Sequence, residues 1–321
     1  MTAAIEAHGL IKHFGKTTAL DGIDLTVEEG RVLGVLGPNG AGKTTAVRIL
    51  ATLLRPDGGT ATVTGLDVVH QAKAVRRKIG LTGQFASVDE DLTGTENLVM
   101  IGQLLDLPTA QAKIRAKELL EEFDLTEAAG RLAKTYSGGM RRRLDLSASL
   151  IGRPAVVYLD EPTKGLDPAK RDDVWDMIRV LVTQGTTILL TTQYLEEADA
   201  LANEITVIDH GKILAHDTPQ GLKRQTGGQT LEVRPTSVGS LPRIRELLVK
   251  FGTREPEQPA PDLLAVPVAD ESALTQLVAA LAAERISVAE LSLRLPSLDE
   301  VFYSLTGQKK KDDTTNGAAA E

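Results

Sequence analysis

Polar and apolar positions divide this chain into short runs and longer periodic segments. Residues 31–36, 156–161 and 186–192 read as buried strands, and 61–63 and 79–82 are strand-like. Ahead of them, 4–14 and 22–27 read as short strands of a small antiparallel sheet. Helical periodicity marks 45–53, 95–107, 110–123, 171–182 and 195–202, with Thr109 a candidate N-cap and 125–132 a further short helix. Residues 205–209 and 212–216 form a hairpin pattern around His210-Gly211. The stretch 93–150 carries no strand pattern, so it reads as a helical insertion in an α/β domain. A linker follows at 225–229, containing Gly227-Gly228. Beyond it, strands at 230–234, 263–268 and 287–295 alternate with helices at 241–251 and 272–284. That βαβαβ pattern predicts a small α+β domain, with a ferredoxin-like form as the candidate. Ser297 and Glu300 meet the capping-box spacing, predicting a helix over 298–305. Residues 308–321, with Lys309-Lys310-Lys311 among small polar residues, read as a disordered tail.

One stretch carries specific chemistry. Gly37-Pro38-Asn39-Gly40-Ala41-Gly42-Lys43-Thr44 fits the phosphate-binding P-loop pattern. It lies between a predicted strand and a predicted helix, the setting the motif needs. Glycines let successive N–H groups turn toward phosphate oxygens, and the helix N-terminus adds partial positive charge. Lys43 then reaches the β- and γ-phosphates, and the Thr44 hydroxyl can ligate Mg²⁺.

Composition narrows the classes. The net charge of −8 disfavours a nucleic-acid binder, which needs a basic surface. With no cysteine, disulfides, thiol nucleophiles and Cys-type zinc sites are excluded. His8, His13, His70, His210 and His216 show no metal-ligand spacing. No apolar run approaches the ~20 residues of a membrane span, and the N-terminus lacks signal-peptide features. A membrane role therefore calls for a partner.

Further candidates follow in order. Phe14 is either a ring that stacks on a purine or a core residue. Gln84 taken alone is a surface residue. Ser137-Gly138-Gly139 opens a helix and forms a second potential anion site. Asp160 and Glu161 end an apolar run, at the strand edge where open α/β sheets bind ligands. Asp160 is placed to hold Mg²⁺, and Glu161 to orient and activate a water.

The order of these motifs resembles the nucleotide-binding subunit of an ATP-binding cassette (ABC) transporter, over about residues 4–222. The resemblance implies an α/β P-loop NTPase, with an ABC-type RecA-like core, an antiparallel β subdomain and a helical subdomain. The expected domains are 1–225 (helical part about 93–150), a C-terminal α+β domain at 229–307 and the tail 308–321. It implies that Phe14 stacks on adenine and that Gly37 to Thr44, with Thr45, bind nucleotide. Gln84 would contact Mg²⁺ or water near the membrane partner. Thr44 and Asp160 would hold Mg²⁺, with Glu161 as the catalytic base. Ser137, Gly138 and Gly139 would bind the ATP of a second copy, and Gly165-Leu166-Asp167 would cross the interface. ATP and Mg²⁺ are the implied cofactors. A homodimer on a separate membrane permease, peripheral to the cytoplasmic face of the membrane, is the implied assembly.

Tyr136 to Leu144, Thr191 to Asp199 and Leu298-Asp299-Glu300-Val301-Phe302 resemble more narrowly the daunorubicin/doxorubicin-resistance type of ATPase subunit. That type energises export of drugs or lipids, and the match spans nearly the whole chain. Most ABC ATPases have His where this chain has Gln193; the drug-resistance type shares the Gln. Gln193 can donate to the γ-phosphate but cannot carry a proton, which suits a positioning role. Lys164 stands where the family usually has Thr, either meeting an acid or phosphate across the dimer or solvated. Met140 replaces the usual Gln of the signature. The rival expectations are a soluble ABC ATPase acting on ribosomes or DNA, and an import ATPase.

Overall fold

The computed structural model describes residues 2–83, 88–225, 229–298 and 300–302. Two compact units divide the chain, Met1–Pro219 and Gln220–Glu321, a few residues before the linker expected at 225–229.

The first unit opens with a long hairpin, β1 (Ala3–Phe14) and β2 (Thr17–Glu28). Both strands have 12 residues, so the expected strand at 22–27 was too short. Gly15, at φ +58°, turns the chain so that Phe14 already pairs with Thr17, and pairing resumes regardless of polarity. Then come β3 (Val32–Leu36), α1 (Lys43–Leu50), β4 (Gly58–Val63), β5 (Leu66–Asp67), α2 (Ala72–Arg76) and β6 (Ile79–Thr82). The helical part holds α3 (Gly94–Leu104), α4 (Thr109–Glu122) and α5 (Gly138–Leu150). Thr93 and Glu96 cap α3 reciprocally. Thr109 does not cap α4; Pro108 takes that position, and the Thr109 hydroxyl instead accepts from Gln103 Nε2 at 2.9 Å. The helix expected at 125–132 is also corrected. Only short 3₁₀ turns form at Thr126–Ala128 and Ala133–Thr135, because Leu132 is drawn into an extended bridge with Thr93. The unit ends with β7 (Val156–Asp160), α6 (Pro168–Thr183), β8 (Thr187–Thr192), α7 (Leu195–Leu201), β9 (Glu204–Asp209) and β10 (Lys212–Asp217).

Two sheets form, ordered β2-β1-β4-β5 and β10-β9-β3-β8-β7-β6. In the second, β9, β3, β8, β7 and β6 run parallel and β10 is an antiparallel edge. Side chains alternate between its faces. Tyr158 and Leu189 join α1 and the β1–β2 hairpin in one core. Val157, Leu159, Ile188 and Leu190 pack with Leu98, Leu119, Leu144 and Ile178 in another. Being buried on both sides, β3, β7 and β8 carry the continuous apolar runs legible in the sequence.

In the second-unit portion of the chain, α8 (Pro219–Gln225) precedes β11 (Thr230–Pro235), α9 (Leu241–Phe251), β12 (Glu257–Ala260), β13 (Leu263–Pro267), α10 (Ser272–Ala283) and β14 (Val288–Arg294). Its sheet is antiparallel with order β12-β13-β11-β14. The pattern is therefore βαββαβ, the ferredoxin-like arrangement, rather than βαβαβ. The missed strand, β12, reads Glu-Gln-Pro-Ala; it is short and at an edge, where proline is tolerated. Ser297 and Glu300 make the predicted capping box, with bonds of 2.8 and 3.3 Å. Helix is described at 298 and 300–302; the rest of the expected helix, and the tail, lie outside the described residues.

Candidate active site

Four parallel strands deliver their C-terminal ends to one edge. Leu36 is level with Thr192, Asp160 with Thr191, and Thr82 with Leu159. The loop after β3, the acids after β7, Gln193 after β8 and Gly83 after β6 therefore share the edge where such sheets bind ligands.

Close approach dictates the glycines of the loop after β3. A Cβ on Gly37 would lie 2.2 Å from the Ile208 carbonyl, and one on Gly42, at φ +109°, 2.4 Å from that of Ala19. Gly40, at φ +84°, faces open space. Helix α1 starts without a capping side chain, which leaves its first amides to an anion. Lys43 is buried, and its Nζ donates to the carbonyls of Gly37 at 2.7 Å and Pro38 at 3.0 Å. Burial pushes its ammonium below the ordinary lysine value, against the pull of Glu161 and Asp160. The ammonium thus curls over the loop and must exchange carbonyl for phosphate oxygens when it binds a phosphate. Asn39 is exposed, Ala41 is buried, and Thr45 is half-buried in the first turn of α1.

Asp160 Oδ1 collects two hydroxyls. Thr44 Oγ1 donates to it at 3.2 Å, and Thr191 Oγ1 donates to it from the neighbouring strand. A hydroxyl beside a carboxylate, both hard oxygen donors, suits Mg²⁺, which takes one or two protein groups along with phosphates. Among the described residues no group of three or more His, Asp or Glu forms a fuller cage. Thr191 was missed in the sequence. Its signal is the level pairing of Asp160 with Thr191, a register that only the sheet reveals.

Glu161 is buried and left-handed at φ +52°, with its N–H donating to the Thr191 carbonyl at 3.0 Å. Lys164 closes a turn on it. The Lys164 N–H donates to the Glu161 carbonyl at 3.2 Å, and Lys164 Nζ stands 2.5 Å from Glu161 Oε2. That hydrogen bond holds the Lys164 ammonium above its ordinary value. Lys164 therefore meets an acid of its own chain.

Behind this turn lies a residue that sequence reasoning passed over. Glu197, on α7, is fully buried; its Oε1 accepts from Thr163 Oγ1 at 2.7 Å and Trp175 Nε1 at 3.3 Å. Burial raises its carboxyl above the usual carboxylate range, opposed by these donors and by Arg142. The folded chain thus holds this proton more tightly than the unfolded one. The stabilisation linked to it is full below the unfolded carboxylate value and is lost as pH rises through the raised folded value. Glu197→Ala is expected to lower stability by roughly 1–3 kcal/mol, since it takes the acceptor from the buried Thr163 hydroxyl and the half-buried Trp175 N–H. Glu197→Gln is expected to cost less and to flatten the pH dependence of the urea midpoint; an unaltered dependence contradicts this.

The second anion candidate lies apart. Ser137 caps α5, accepting from the Met140 N–H at 3.3 Å, and Ser137 and Gly138 are exposed. Among the described residues no hydrogen bond or ion pair joins Ser137-Gly138-Gly139 to the loop 37–44. One turn further along, Arg142 is directed inward. It donates to the Gly83 carbonyl at 3.4 Å and Asp145 at 3.2 Å, tying α5 to the end of β6. Asp167 caps α6 through the Lys170 N–H at 3.0 Å and is also paired with the Lys170 ammonium, whose hydrogen bond lowers the Asp167 carboxyl. Gln193 is half-buried just after β8. Phe14 is 50% exposed with Lys12 Nζ 5.7 Å from its ring centre, so of the two alternatives it is not a core residue. Gln84 lies outside the described residues.

Comparison with known proteins accords with this geometry. Residues 20–164 match the family model described as ABC transporter, and residues 218–306 match that described as ATP-binding protein DrrA1-3-like, C-terminal domain. A daunorubicin resistance ATP-binding protein of Streptomyces coeruleorubidus is 54% identical, covering 98% of this chain and 99% of its own. A daunorubicin/doxorubicin resistance ATP-binding protein of Streptomyces peucetius is 50% identical, covering 100% of this chain and 97% of its own. Among solved structures, the ADP conformation of an ATP-binding cassette of an ABC transporter superposes with a TM-score of 0.63 at 24% identity. It covers 69% of this chain and 93% of that one, a likeness of fold.

Proposed function

Because the chain belongs to the ABC transporter family, as an ATP-hydrolysing subunit of an exporter of the daunorubicin-resistance type, we propose that its ATP site is completed only by a second copy. The observation that carries this reading is a separation. Lys43, Thr44, Asp160 and Glu161 gather at one sheet edge, whereas Ser137 and Gly138 are exposed and Gly139 half-buried, and among the described residues no hydrogen bond joins the three to that edge. An exposed helix start with two glycines offers amides to the phosphates of a facing subunit.

In this reading the amides of 37–44 cradle phosphates and Lys43 neutralises them. Thr44 and Asp160 hold Mg²⁺, which adds charge neutralisation at the phosphates. Glu161 orients a water and accepts its proton, and Gln193 donates to the γ-phosphate. Phe14, exposed beside Lys12, is free to stack on adenine. Asp167, at the start of α6, would face the second copy. Gln84, by the family resemblance, would contact Mg²⁺ or water near the membrane partner.

No described helix is long and apolar enough to cross a membrane. A separate membrane subunit, as an exporter's ATP-binding subunit requires, would hold this chain at the cytoplasmic face. The drug-resistance names of the relatives support a drug-like cargo over the lipid-like alternative. Affinity purification of the chain from its native cells is expected to bring down a polytopic membrane protein; ribosomes or DNA in its place contradict the reading. Gln193→Ala is expected to slow hydrolysis roughly 10²-fold while leaving ATP binding intact. Unchanged turnover would remove Gln193 from the mechanism.

A further inference from the structure

We propose that Lys164 is an intramolecular latch on Glu161, a positioning residue that restrains hydrolysis until the loop 163–167 is moved. The proposal rests on Glu161 being the base.

Three observations converge. Lys164 Nζ lies 2.5 Å from Glu161 Oε2, a charge-assisted contact that occupies this oxygen of the carboxylate. The contact is built by the backbone rather than by chance meeting of side chains. Glu161 is held left-handed, and the turn closed by the Lys164 N–H on the Glu161 carbonyl sets the two side chains together. Finally, the two ends of the pair differ in freedom. The Glu161 side chain is 4% exposed, while that of Lys164 is 43% exposed on a flexible stem. Gly165 follows at φ +78°, and nothing lies within 4 Å of where its Cβ would be. The buried acid is therefore fixed, and the lysine is the part that can leave.

A carboxylate oxygen accepting from an ammonium is not available to a water's hydrogen in the same direction. Release from Lys164 returns Oε2 of Glu161 to the orientation of a water toward a phosphate. Movement of 163–167 by a facing subunit would pull Lys164 away. The latch thus links the availability of the base to the closure that builds the site.

The test uses the full-length chain with Mg²⁺-ATP. Lys164→Thr is expected to raise kcat about three- to tenfold, the span of a half-exposed charge-assisted pair, with KM for ATP unchanged. Lys164→Arg, which keeps the ion pair, is expected to stay near the parental rate. Glu161→Gln combined with Lys164→Thr is expected to be inactive, showing that the gain runs through Glu161. A kcat for Lys164→Thr at or below the parental value overturns the latch, as does Lys164→Arg matching Lys164→Thr. A parental rate in Glu161→Gln alone overturns the base assignment itself, a failure distinguishable from that of the latch.

Discussion

Lys43→Ala is expected to weaken ATP binding about a hundredfold or more, the scale of removing one partner from a buried charge contact at ~2–5 kcal/mol. The reason lies in the enclosure of the ammonium. Lys43 is buried beneath the loop whose carbonyls it holds, at 2.7 Å from Gly37 and 3.0 Å from Pro38. Burial disfavours its charge, and Glu161 and Asp160 beside it pull the other way. Without it, phosphates would meet those two acids without the cation that offsets them, and the carbonyls of Gly37 and Pro38 would lose a donor. A calorimetric titration with ATP reads the effect directly. Parental affinity in Lys43→Ala would mean that the phosphates do not lie in this loop.

Glu161→Gln is expected to lower hydrolysis by roughly 10²–10⁴-fold, the usual contribution of a general base, while ATP stays bound. The substitution preserves shape. Gln can occupy the same buried position, and its carbonyl can still accept from Lys164. It removes the negative charge and with it the capacity to take a proton from water. Asp160, with its hydroxyls from Thr44 and Thr191, is left in place. Single-turnover release of phosphate measures the loss; a parental rate would exclude Glu161 as the base.

Much of the site is legible without coordinates because it sits where regular elements end. An apolar run closing on Asp160-Glu161 announces a buried strand with acids at its edge. Ser137 before Gly138-Gly139 announces a helix start, and it is the N-cap. What stayed hidden depends on geometry between segments. Thr191 joins Asp160 only through sheet register. Lys164 reaches Glu161 through a turn that begins at a left-handed residue, and no pattern of residue types signals that turn. Glu196 and Glu197 are the same residue type side by side on α7, yet the first is exposed and the second fully buried. Elsewhere, β12 escaped notice because an edge strand with a proline has no alternation to betray it. The 125–132 stretch failed as a helix because tertiary pairing of Leu132 with Thr93 overrode local periodicity.

In the proposed assembly the loop 37–44 is half of an ATP site, and Ser137-Gly138-Gly139 of a second copy is the other half. Gly138 permits a clean test, since a Cβ there meets nothing within 4 Å and a substitution leaves the subunit's own packing undisturbed. An aspartate at that position would set a carboxylate against the phosphates of the facing subunit. The measurement is the sedimentation mass, with saturating Mg²⁺-ATP, of Glu161→Gln alone and of Glu161→Gln combined with Gly138→Asp. The first is expected to shift from the 34.3 kDa of one chain to twice that mass. The second is expected to bind ATP and remain a single chain. A Glu161→Gln protein that stays single with ATP bound, or a double variant that pairs as readily, would contradict the claim.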